Sequence, residues 1–195
     1  MDLVRVDFAL IPADPLFRSV ISASQAITDE YYYNENVIDD KEFPPHLSLH
    51  ICTVPHDRIQ QIVDDLRVLI ERIDLPDINP VSIEASYGGY VMLNVERTAE
   101  LMALHEAILD LAAAAREGVG NDKYGSEYIR DSFVPHVSLA KVDRRDVNSA
   151  TDLGRRVLGD CHPTRTRAFD LCDIGSRSER WDVLASFPGG EPPTL

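Results

Sequence analysis

Apolar and polar positions alternate from Leu3 to Leu10 and stop at Ile11-Pro12, a pattern that predicts an edge or half-buried strand. From Asp14 to about Glu30, Leu16, Val20, Ile21 and Ile27 recur at helical spacing, with Asp14-Pro15 as cap and first turn. A polar stretch from Tyr31 to Glu42 leads to a strand at about His46 to Val54. Helical periodicity returns from about Asp57 to Ile73, and two short strands follow, about Val81–Ser86 and Tyr90–Val95, joined through Gly88-Gly89.

The second half repeats that order. Thr98 to about Arg116 predicts a Leu- and Ala-rich helix closed by Gly118. A polar loop, Asn121 to Ser132, leads to a strand at about Phe133 to Val142. A helix over about Asp146 to Leu158 precedes strands at about Arg165–Asp173 and Trp181–Phe187. No Pro/Gly/Ser linker divides the chain. The expectation is one domain over 1–187, made of two closely packed lobes (roughly 1–89 and 90–187), and a disordered tail over 188–195.

The two polar loops end in matched heptapeptides. The first is Phe43-Pro44-Pro45-His46-Leu47-Ser48-Leu49; the second is Phe133-Val134-Pro135-His136-Val137-Ser138-Leu139. Five of the seven positions are identical, at an offset of 90 residues that is close to half the chain. A repeat of this kind implies duplicated structure about a pseudo-two-fold axis. Strand alternation puts His46, Ser48 and His50 on one face and Leu47, Leu49 and Ile51 on the other. Likewise His136 and Ser138 lie opposite Val137 and Leu139. The polar faces, brought together, would form a groove with two imidazoles and two hydroxyls.

That set of groups suits phosphoester cleavage. One neutral imidazole takes a proton from the attacking oxygen, and a protonated one supplies the leaving oxygen. The serines can donate to the non-bridging phosphate oxygens, where charge builds in the transition state. Which histidine is acid and which is base is left open.

Pro-His-Leu-Ser-Leu and Pro-His-Val-Ser-Leu resemble the paired His-x-Thr/Ser-x signatures of the 2H phosphoesterase superfamily, which includes 2′-5′ RNA ligases and RNA 2′,3′-cyclic phosphodiesterases. The resemblance implies an α+β, bilobal, pseudo-two-fold fold, with two antiparallel sheets lining a central groove and helices outside. It also implies chemistry with no metal and no cofactor, His46 and His136 as acid and base, and Ser48 and Ser138 as phosphate ligands. The substrate it implies is a 2′,3′-cyclic phosphate on a nucleotide or short RNA end. Rival readings are cleavage or ligation of 2′-5′ or 3′-5′ links in small or cyclic oligonucleotides, a nucleotide-binding module without turnover, and a metal-dependent hydrolase.

Around the motifs, His50 is groove-facing by alternation, to contact substrate or tune His46, or else solvated beyond the groove. Phe43 and Phe133 either stack a base or enter the core. Tyr33 and Tyr124 stand in the loops before the motifs, where selectivity resides in many enzymes. Lys141 is set aside because alternation points it away from His136 and Ser138. His56, His105 and His162 are read as structural.

Composition narrows the partners. With 44% hydrophobic and 27% charged residues the chain is globular, and no apolar run reaches the ~20 residues of a membrane span. Three cysteines without Cys-x-x-Cys spacing fit free thiols in a reducing, cytoplasmic setting. A net charge of −14 argues against duplex DNA and favours a nucleotide or short oligonucleotide bound by a monomer.

Overall fold

A computed structural model describes residues 2–32, 37–86, 88–117, 119, 130–176 and 178–189. The elements in chain order are β1 Leu3–Pro12, α1 Leu16–Tyr31, β2 Leu47–Pro55, α2 Ile59–Ile70, β3 Pro80–Ala85, β4 Tyr90–Val95, α3 Ala99–Ala115, β5 His136–Lys141, α4 Val147–Leu158, β6 Thr166–Asp173 and β7 Asp182–Pro188. The repeated strand–helix order expected from periodicity is present, with boundaries displaced by no more than three residues. Pro188 ends β7, and the expected tail beyond 189 lies outside the described residues.

Local chemistry explains several boundaries. The Thr98 hydroxyl accepts a hydrogen bond from the Leu101 N–H (3.2 Å) and caps α3. Leu101, Leu104, His105, Ile108, Ala112 and Ala115 then form its buried stripe. Between β3 and β4, Gly89 has φ +86°, and a Cβ there would come within 2.4 Å of the Val142 carbonyl. The Val142 N–H donates to Gly89 O (2.9 Å), so the hairpin tip is tied to the end of β5.

One seven-stranded antiparallel sheet runs β3-β4-β5-β2-β1-β6-β7. The expectation of two separate sheets is corrected here: Leu47 pairs with Val137 and joins β2 to β5, one residue after each motif histidine. A second correction concerns β1. It was expected at an edge or half-buried, yet it lies between β2 and β6 and is buried from Val6 to Pro12. Its neighbours come from both halves of the chain.

The helices also cross between halves. α1 packs with α4 over β5, β4 and β3, whereas α3 lies on β2 with α2 beside it. They cover the face that carries Leu47, Leu49, Val137 and Leu139, all within 1% of full burial. A single apolar core results, and the opposite sheet face carries the motif hydroxyls and imidazoles.

Candidate active site

Each motif enters its strand in the same way. Pro44 O accepts from His46 Nδ1–H at 2.8 Å, and Val134 O accepts from His136 Nδ1–H at 2.9 Å. A carbonyl can only accept, so both rings carry their proton on Nδ1 when neutral, and Nε2 is the nitrogen free for chemistry. The antiparallel Leu47–Val137 pair sets His46 across from Ser138 and Ser48 across from His136. The two motifs are therefore brought together. Their charges also interact: a protonated His136 disfavours a proton on His46.

Both strands then bulge at the same motif position. Phe8 pairs with His50 and Ala9 with Ser48, which leaves Leu49 without a partner on β1; Val91 pairs with Ala140 and Met92 with Ser138, which leaves Leu139 without one on β4. Two residues against one shift the alternation by one position. This overturns two expectations. His50 does not share the face of His46 and Ser48; it turns to the helix side against Phe8, ring centroids 6.4 Å apart, and is 9% exposed. Lys141, set aside by alternation, comes onto the Ser138 face opposite Tyr90, with its Nζ 5.6 Å from the Tyr90 ring centroid.

Surroundings separate the two histidines. His46 lies 4.2 Å from Trp181 and 5.6 Å from Phe43, and Phe43 meets Trp181 edge-on at 5.6 Å. Burial pushes the His46 imidazole down to about 4, the Pro44 carbonyl opposing and His136 reinforcing the shift. Beneath it on β1 is Asp7, 1% exposed. Ser48 Oγ lies 2.7 Å from Asp7 Oδ2, and His46 Nε2 lies 4.0 Å from the same oxygen. Burial raises the Asp7 carboxyl to about 7, against the Ser48 hydrogen bond and the Arg5 charge. His136, in the other half, is paired with Asn94 and has no acid at the corresponding place, where Tyr90 stands.

Phe43 thus touches a motif histidine, whereas Phe133 does not line the groove. It is 4% exposed and stacks on His105 at 4.0 Å and 6°. His105 is fully buried: its Nδ1–H donates to Leu49 O (2.9 Å) and its Nε2 accepts the Arg130 N–H (3.0 Å). It clamps the bulge of the first motif to the approach of the second. Tyr33 and Tyr124 lie outside the described residues. Asp7 and Trp181 were missed in the sequence. The signal for Asp7 was the one carboxylate in a mostly apolar strand that also carries Arg5, and for Trp181 it was the single tryptophan, both legible only once strand order is known.

Among the described residues no three His, Cys, Asp or Glu side chains are grouped to hold a metal ion, and no helix is long and apolar enough to cross a membrane.

An α+β fold with one large antiparallel sheet, in which the two His-x-Ser strands meet, fits the 2H phosphoesterase class that the motifs resemble. The 2′-5′ RNA ligase superfamily is matched over residues 18–159, and the chain belongs to that superfamily. Among solved structures it is similar to Escherichia coli LigT complexed with 3′-AMP (16% identity, TM-score 0.54, 98% of this chain and 100% of that one). It is also similar to Kluyveromyces marxianus Usb1 (12%, TM-score 0.52, 94% and 97%) and to a structure described as a phosphoesterase (16%, TM-score 0.51, 96% and 99%). At these identities the likeness is one of fold. No curated protein matches it in sequence.

Proposed function

We propose that this chain is a metal-independent phosphodiesterase that hydrolyses the 2′,3′-cyclic phosphate of a nucleotide or short RNA end. The observation that carries this reading is the pair of histidines held by the same Nδ1–H to carbonyl bond, each with Nε2 left for proton transfer. His46, neutral down to about pH 4, is the base: its Nε2 takes a proton from the attacking water. The water oxygen bonds to phosphorus, the P–O bond to one ribose oxygen breaks, and that oxygen receives a proton from His136 Nε2. Solvent then carries the proton from His46 back to His136. Ser138 and Ser48 donate to the non-bridging oxygens.

The substrate class draws support from LigT, whose solved complexes include 3′-AMP and ATP. The strongly negative net charge agrees with a small ligand, since long RNA is held through many phosphate contacts. The test is a product assay on 2′,3′-cyclic nucleotides and on 2′-5′ and 3′-5′ dinucleotides, with and without excess chelator. Cleavage of the cyclic phosphates that persists in chelator and disappears in His46→Ala and His136→Ala is the expected result. Full activity in either variant sinks the two-histidine mechanism. Turnover of 2′-5′ dinucleotides alone would move the substrate to that linkage.

A further inference from the structure

The carboxyl of Asp7 sits under the first motif in an environment that does not suit a fixed negative charge. It is on β1, an interior strand between β2 and β6, its Oδ1 is buried without a hydrogen-bond partner, and its Oδ2 is 2.7 Å from Ser48 Oγ. At that length the bond can run in either direction, because a hydroxyl and a carboxylic acid each donate and accept. The direction matters to the groove. If Ser48 donates to a carboxylate, its only hydrogen points away from any bound phosphate. If a protonated Asp7 donates to Ser48, that hydrogen is released.

We infer that Asp7 is a positioning residue whose proton sets the direction of the Ser48 hydroxyl, so that Ser48 donates to a bound phosphate only when Asp7 is protonated. This rests on the phosphodiesterase reading above for the place of the anion. Ser138 has no carboxyl at the corresponding place on β4, where Tyr90 stands. The groups facing Asp7 agree with a carboxyl that changes state near neutrality. Burial holds it up to about 7, while Arg5, two residues along the same strand, pulls it down. On β6 it pairs with Cys172, whose thiol is held neutral by burial and by Asp170, Asp7 and Asp182, and Asp170 is itself raised by burial. On β2, His46 stays uncharged through the range concerned.

Sulfate is a suitable probe because it is not hydrolysed and does not titrate near neutrality. Its binding to the full chain is measured by calorimetry for the chain with Asp7 and Ser48 intact (wild type at both positions), Asp7→Asn and Ser48→Ala, each in a His136→Gln background so that the groove imidazole adds no pH dependence of its own. Wild type is expected to bind about tenfold more weakly at about pH 8 than at about pH 6, as the competent fraction falls. Asp7→Asn, whose amide donates to Ser48 at every pH, keeps the tighter affinity at both. Ser48→Ala is weak at both. An Asp7→Asn profile that follows wild type overturns the assignment. So does a Ser48→Ala variant that keeps the wild-type change, since that would be plain repulsion by Asp7; this arm stands even if Asp7→Asn does not fold. Either result leaves the phosphodiesterase reading intact. Sulfate that does not bind wild type at either pH removes the anion site and the inference together.

Discussion

The two motifs are the same piece of backbone in two different environments. Each histidine bonds the carbonyl two residues upstream, each serine follows at the same interval, and each strand bulges one residue later, at Leu49 and at Leu139. The differences come from the neighbouring strand. β1 gives the first motif Asp7 and Ala9; β4 gives the second Tyr90 and Met92. Trp181 and Phe43 cover His46 and have no counterpart over His136 among the described residues. Duplicated backbone supplies two Nε2 atoms; under the proposed mechanism, what lies beside them makes one the base and the other the acid.

That assignment is broken most directly at the histidines. His46→Ala and His136→Ala are each expected to lower kcat on a 2′,3′-cyclic nucleotide by about 10²–10⁴-fold. A nitrophenyl phosphodiester separates them, because its leaving group needs no proton. His136→Ala should recover most of its loss on that substrate, and His46→Ala should not. Recovery in the opposite variant would exchange the roles.

The serines come next. Ser138→Ala is expected to lower kcat by about 10²-fold, as loss of one donor to a developing oxyanion does. Ser48→Ala should cost a similar amount at acidic pH and much less above the Asp7 midpoint of about 7, where its hydrogen already points to the carboxylate. Steady-state rates at two pH values decide this. Equal losses at both would mean that the two hydroxyls are equivalent after all.

How much of this contrast was legible in the sequence depends on the kind of signal. The motif repeat and the hydrophobic periodicity marked both motif histidines, both motif serines and each of the labelled helices and strands among the described residues, because local pattern carries them. Alternation failed at His50 and Lys141, since a bulge inserts one residue with no mark in composition. Phe133 was ambiguous between groove and core because only the stack on His105 settles it, and His105 comes from a helix 28 positions earlier. Asp7 falls at a polar position of the alternation over Leu3–Leu10; only the pairing of β1 with β6, from the far end of the chain, encloses it. Pairing between distant strands is not written locally. It decided what differs between the halves.

Asp7 and His46 also leave a thermodynamic trace. Unfolded, Asp7 releases its proton near 3.8 and His46 near 6.5; folded, the values are about 7 and about 4. Between about pH 4 and 6.5 the pair holds one proton in either state, on His46 when unfolded and on Asp7 when folded. The two linkages therefore oppose. The raised Asp7 makes stability fall as pH rises through this window, and the depressed His46 makes it rise, each by up to about 1.4 kcal/mol per pH unit. Denaturant melts of wild type should show little slope from this pair. Asp7→Asn should gain stability from about pH 4 to 6.5, and His46→Gln should lose it from about pH 4 to 7. Slopes of the same sign in the two variants would mean that the proton is not exchanged between them.

The smallest expected effect tests what Trp181 does for this asymmetry. Its indole lies over the His46 ring at 4.2 Å, 8% exposed, and its Nε1–H is buried without a hydrogen-bond partner. An unsatisfied buried donor costs about 1–3 kcal/mol, which opposes the area lost on going to a phenyl ring. Trp181→Phe should therefore stay within about 1 kcal/mol of wild type in chemical denaturation. It should also keep His46 well below the usual histidine range, because the cause is burial and a phenyl ring still covers the imidazole. An NMR titration of His46 in the variant reads this directly. A His46 midpoint returned toward 6.5 would show that the indole, and not burial in general, holds His46 down. A large loss of substrate affinity with His46 unmoved would instead make the indole N–H a ligand donor. The cover over His46 would then belong to the binding surface, and the contrast between the halves would extend to substrate contact.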